Sequence, residues 1–113
     1  MSDKQVNKKL IPEITAVKKL VTDLKDNLLC FVDVHHHCVK RGAFMYGPSC
    51  SAQLEAQRYK EIRALPKMID LATEMFRFHA CRFKANEHWK ENCARYWAEK
   101  EGAQFSYCLE CSQ

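Results

Sequence analysis

Apolar residues recur along this chain in two rhythms. Beyond a polar, lysine-containing lead-in over 1–11, Ile14, Val17, Leu20, Val21 and Leu24 follow one another at the spacing of a helix with one apolar face. Pro12 suits the first turn of that helix, Glu13 favours the positive end of its dipole, and Asp26-Asn27 offers a stop. The rhythm then gives way to Leu28-Leu29-Cys30-Phe31-Val32-Asp33-Val34, which is short, almost wholly apolar and rich in β-formers. Such a run predicts a strand buried on both faces, as in a parallel sheet covered by helices. A helix followed by a buried strand points to an α/β layer architecture.

The stretch from His35 to Cys50 holds Gly42, Gly47 and Pro48 and reads mostly as loop; residues 51–61 are polar and read as irregular. Leu65-Pro66 opens a second helix, with Met68, Ile69, Leu71, Ala72, Met75 and Phe76 as its apolar face. Phe78, Ala80 and Phe83 alternate loosely, as in a short strand. Residues 86–100 predict a third helix with Trp89, Cys93 and Tyr96 on one face and Glu91 four residues before Arg95; Gly102 ends it. Phe105 to Glu110 predicts a final strand. The expected fold is α/β, about three strands of a mixed sheet with two to three helices, in a single domain.

Composition narrows the function classes. With 113 residues, 47% hydrophobic and 28% charged, the chain has an ordinary globular make-up and room for one modest core. A net charge of +4 is mildly basic and suits an acidic partner, but the basic residues are scattered, without an Arg/Lys block or a stacking-aromatic motif. Nucleic acid is therefore not the expected partner. No apolar run is long enough to span a bilayer, so no membrane role is expected. The N-terminus is polar and charged rather than a secretory signal, and seven cysteines at irregular spacings read as reduced thiols in a cytoplasmic protein, most of them small buried hydrophobes.

Ligand-type residues gather at Asp33-Val34-His35-His36-His37-Cys38, where the predicted strand ends. Active sites of open α/β sheets lie at the carboxyl ends of strands. A neutral imidazole is a good zinc ligand, and a neighbouring carboxylate such as Asp33 can orient it. Three histidines in a loop can equally be exposed and inert. Cys108-Leu109-Glu110-Cys111 is a lone C-x-x-C without the second pair that a structural zinc site needs, and reads as incidental. Glu110, a carboxylate ending an apolar strand, either pairs with a cation or acts as a base. Lys40-Arg41 could hold a carboxylate substrate.

Taken together, these segments resemble the peptidase M14 family, and within it the cytosolic carboxypeptidases. Phe31-Val32-Asp33-Val34-His35-His36-His37 is similar to the family's F-x-D-x-H-x-H strand end. Lys40-Arg41-Gly42-Ala43-Phe44-Met45-Tyr46-Gly47 resembles its K-R-x-x-F-M-Y-G, the most specific of these motifs. Leu65-Pro66-Lys67 resembles L-P-K, Cys81-Arg82-Phe83 a C-x-F strand, and Lys100-Glu101-Gly102 K-E-G. Ser106-Tyr107-Cys108-Leu109-Glu110-Cys111 resembles S-Y-T-L-E-C, and the likeness runs from about residue 12 to the end.

The resemblance implies that residues 12–113 are the C-terminal part of a carboxypeptidase domain, a partial α/β/α sandwich of the zinc carboxypeptidase type. It implies Zn2+ as cofactor and removal of C-terminal glutamates from polyglutamylated tubulin or other acidic protein tails. By motif position His35 would be a zinc ligand, Asp33 its orienting partner and Glu110 the general base for the attacking water. Lys40 and Arg41 would favour an acidic peptide. The family's other two zinc ligands come from an upstream H-x-x-E, and no such motif precedes His35 here. A catalytic zinc site needs three protein ligands. The chain is thus expected to be inactive alone, and the alternative expectation is a truncated remnant that at most binds metal or acidic tails.

Overall fold

The computed structural model describes residues 12–38, 41–83 and 93–112. In chain order these form α1 (Pro12–Leu24), a 3-10 turn (Lys25–Asn27), β1 (Cys30–His36) and β2 (Ala43–Tyr46). Then follow α2 (Ala56–Ala72), a second 3-10 turn (Phe78–Ala80), α3 (Ala94–Lys100) and β3 (Phe105–Cys111). The lead-in over 1–11 and the first part of the helix expected over 86–100 lie outside the described residues.

The strands make one mixed sheet in the order β1-β3-β2. β1 runs parallel to β3, from Cys30 opposite Phe105 to His36 opposite Cys111. β2 runs antiparallel to β3, from Ala43 opposite Cys111 to Tyr46 opposite Cys108. The mixed three-stranded sheet with three α-helices is the expected α/β class.

Helices flank both sides of the sheet. On one, Tyr107 of β3 points into α2, fully buried, and its hydroxyl donates to the Ile62 carbonyl at 2.8 Å. Around it Met45, Phe76, Ala80 and Cys81 form the main core, and Phe44, opposite Glu110 in the ladder, joins the same cluster from the other face of the sheet. On the other side, Val21 of α1 and Ala98 of α3 pack with Phe31, Trp97 and Ala103. Ser106 there donates to the Arg95 carbonyl at 2.6 Å, and the buried Arg95 guanidinium donates to the Gly47 carbonyl at 2.9 Å. The Arg95 side chain thus ties α3 to the loop after β2, while its expected partner Glu91 lies outside the described residues.

Several local expectations are corrected. β1 is an edge strand, with Cys30, Val32 and Val34 exposed, rather than buried on both faces; among the described residues its only ladder partner is β3. Ala43–Tyr46 is a strand, not loop. α2 begins at Ala56, within the stretch expected to be irregular, so that Pro66 lies inside the helix and does not open it. Residues Phe78–Ala80 form a 3-10 turn, with Arg82 making only an isolated bridge to Tyr46. Of the seven cysteines, all free thiols, only Cys81 is fully buried. Among the described residues no helix is long and apolar enough to cross a membrane.

Candidate functional site

A parallel ladder sets directly opposed side chains on the same face, and residues two apart along a strand share that face. Asp33 is opposite Cys108, and His35 is opposite Glu110. These four residues therefore project from one face at the carboxyl ends of β1 and β3. Within this group, Asp33 Oδ2 lies 2.7 Å from His35 Nε2. The Cys108 thiol donates to Glu110 Oε1 at 3.4 Å. One ligand atom each from Asp33, His35 and Cys108 lies within 4.8 Å of the others.

The group is accessible from solvent, the His35 side chain being 52% exposed and that of Asp33 29%. Half-burial is the first cause that pushes the Cys108 thiol up, to about 12. The charge of Glu110, the hydrogen bond to it and the charge of Asp33 add to that rise, and Arg95 opposes it. The thiol is thus a protonated donor to the carboxylate beside it. Imidazole nitrogen, carboxylate oxygen and cysteine sulfur are the donor types that bind zinc, so the residues present fit that ion.

The histidine triplet divides. His35 faces Glu110, and His36, the next residue along the strand, projects from the opposite face beside Cys111. His37 leaves the ladder, its backbone N–H donating to the Cys111 carbonyl at 2.9 Å, and its ring stands edge-on to Phe44 with centroids 4.9 Å apart. The spacing of three between Cys108 and Cys111 likewise puts these thiols on opposite faces, so they do not act as a pair.

Of the two basic residues singled out, Lys40 lies outside the described residues. Arg41 is exposed and lines a cavity of about 360 Å³ with Arg77, His79, Ala80 and Arg82; none of the strand-end group lines it. Cys108 is the member of the strand-end group that sequence reasoning passed over. Its signal was present in the period of the strand: two residues before Glu110, it had to share that carboxylate's face.

No protein-family model matches the chain. Among curated proteins, the human cytosolic carboxypeptidase-like protein 5 is 36% identical over 95 residues, covering 73% of this chain and 10% of that protein. Cytosolic carboxypeptidase 2 of Xenopus tropicalis is 34% identical over 97 residues, 85% of this chain and 10% of that protein. Cytosolic carboxypeptidase 3 of the mouse is 28% identical over 109 residues, 93% of this chain and 11% of that protein. The chain spans about a tenth of the length of the curated relatives it matches.

Proposed function

The chain belongs to the cytosolic carboxypeptidase family, and from that premise we propose that it supplies the His35–Glu110 half of a metallocarboxypeptidase centre. On this reading residues 12–113 are the C-terminal part of a peptidase domain of the zinc carboxypeptidase type. The substrates are acidic protein C-termini, with polyglutamylated tubulin in the cytoplasm as the leading candidate. The observation that carries the proposal is the register that sets His35 opposite Glu110.

Each side chain then has a task. His35 offers an imidazole nitrogen to the metal. Asp33, 2.7 Å from Nε2, fixes the ring's orientation and tautomer. Glu110, on the adjoining strand, accepts the proton of the attacking water and returns it to the leaving amine. Zinc, when bound, supplies Lewis-acid polarisation of the scissile carbonyl. Two further ligands, of the H-x-x-E type that precedes the histidine strand in the family, come from chain outside this sequence, so the chain alone does not turn over substrate.

The test is release of glutamate from a poly-glutamate peptide. A protein extended upstream to include such a ligand pair should release it, and Glu110→Gln should abolish that release. An inactive but folded extended protein, or a Glu110→Gln variant that keeps its rate, would overturn the proposal.

A second reading, a non-catalytic remnant that holds acidic tails, is favoured by the arginines at 41, 77 and 82, which line one cavity with His79. It is supported if a glutamate-rich peptide binds this chain without cleavage and leaves as salt is raised.

A further inference from the structure

We propose that this chain binds a divalent transition-metal ion by itself, through Asp33, His35 and Cys108, with Glu110 beside the position left open. The inference shares one premise with the proposed function, that His35 faces a metal. It departs from it in the donor set: here Asp33 binds the ion instead of only orienting the His35 ring, and no residue from outside the chain is needed.

Asp33 and His35 stand two apart on β1, and Cys108 is the direct ladder partner of Asp33. Nitrogen, oxygen and sulfur ligand atoms from the three converge to within 4.8 Å of one another. A tetrahedral ion bonded at about 2.0–2.3 Å sets its donors roughly 3.3–3.8 Å apart, so small side-chain rotations on two rigid strands close the shell. Backbone movement is not required, because the β1–β3 ladder already fixes the Cα positions.

The donor types select the ion. A thiolate with an imidazole favours Zn2+ or Co2+ and disfavours Mg2+ and Ca2+, which take oxygen ligands. Three protein ligands with one position open is the arrangement of catalytic rather than structural zinc sites. Binding balances simply: the Cys108 proton leaves through Glu110 to solvent, and the neutral imidazole binds through the nitrogen its tautomer leaves free. The resemblance to S-Y-T-L-E-C sets Cys108 where the family pattern has Thr. The sulfur ligand is therefore a property of this chain and not one carried over with the family.

The experiment is Co2+ titration of the full, reduced 113-residue chain, read by optical absorption. A thiolate-to-cobalt charge-transfer band should grow in the near ultraviolet and saturate with one ion per chain. Cys108→Ser, nearly isosteric, should remove the band, and Cys111→Ser, on the other face, should leave it unchanged. His35→Ala should weaken binding by roughly tenfold or more. Absence of the band, its survival in Cys108→Ser, or its loss in Cys111→Ser would overturn the proposal. Circular dichroism of each variant shows that loss of the band is not loss of the fold. The two proposals fail separately. A Co2+–thiolate band in a chain whose extended form releases no glutamate leaves this site standing and sinks the hydrolase reading. Glutamate release that persists in the extended form carrying Cys108→Ser, with no charge-transfer band in the parent, sinks this site alone.

Discussion

The hydroxyl of Tyr107 donates at 2.8 Å to the backbone carbonyl of Ile62, the carbonyl that Pro66, four residues further along α2, cannot serve. A proline inside a helix lacks the N–H that would bond four residues back, and its ring presses on that same carbonyl. Both Tyr107 and Ile62 are fully buried, so no water replaces the missing donor. Burial pushes the Tyr107 hydroxyl up to about 12, which keeps its proton in place as the donor. Tyr107→Phe keeps the ring and removes only that donor, and should destabilise by about 1–3 kcal/mol. In a Pro66→Ala background the helix supplies its own N–H, and the same substitution should cost less by more than about 0.5 kcal/mol. Chemical denaturation of the four proteins closes the cycle; equal costs in the two backgrounds would mean that the hydroxyl serves no gap left by Pro66.

The carboxylate of Asp70 accepts the Phe78 backbone N–H at 2.9 Å, and Lys67 Nζ stands 3.6 Å from it. The backbone hydrogen bond is the main reason its carboxyl lies below the ordinary value of 3.8, with Lys67 and His79 adding to that and partial desolvation opposing it. A carboxyl lowered in the folded state contributes stability above its unfolded value and loses that contribution as pH falls through the folded value. Asp70→Asn should therefore flatten the acid side of the stability profile below 3.8 and leave the shape near neutrality unchanged. Urea midpoints measured down the acid range decide it, and an unaltered acid limb would show that Asp70 is not coupled to folding.

The pairing of β1 with β3 was legible because Phe105 to Glu110 and Leu28 to Val34 are dense in β-formers, and a helical segment separates them as a parallel connection requires. The His35–Glu110 relationship followed from motif position and is written in the register. β2 was hidden because four residues between Gly42 and Gly47 are too few to show a period, and the glycines signal loop. α2 was misjudged at its start because polar Ala56–Glu61 carries little apolar rhythm, and because a proline usually opens a helix unless, as at Tyr107, something serves the carbonyl it orphans. The two-sided burial expected of β1 depends on neighbours, not on the strand's own residues, and so lay beyond the reach of its sequence.

Gly42 leads into β2 with φ +84°, and a Cβ there would sit 2.6 Å from the Met75 carbonyl oxygen. It also ties the start of β2 to the end of β3, its N–H donating to Ser112 Oγ at 2.7 Å. Gly102 has a similarly unusual φ of +112° but nothing within 4 Å of the same position. Gly102→Ala should cost about 1–2 kcal/mol from backbone strain alone. Gly42→Ala adds a backbone collision and should cost clearly more, with loss of the Co2+–thiolate band if the collision moves β1. Thermal unfolding of both variants separates strain from collision, and equal losses would show that the Met75 carbonyl yields freely.

Among the described residues, large apolar side chains stay exposed on three parts of the fold. Val34 on the β1 edge is 65% exposed, and Leu71 on the outer side of α2 is 77% exposed. Met68 and Met75 are also exposed on or just after α2, as are Val17 and Leu20 on α1. An apolar strand edge with free backbone groups invites pairing with another chain, and a contiguous apolar surface favours association. The chain should therefore self-associate as concentration rises. Val34→Lys should suppress edge pairing, and Leu71→Lys should reduce helix-face association. Neither side chain is buried, so each substitution should alter stability by no more than about 0.5 kcal/mol. Sedimentation velocity over a concentration series checks this. Weaker association in Val34→Lys with unchanged denaturation assigns the contact to the sheet edge, and weaker association only in Leu71→Lys assigns it to α2. A parent chain that stays monomeric at all concentrations and unfolds cooperatively would show that these surfaces need no cover.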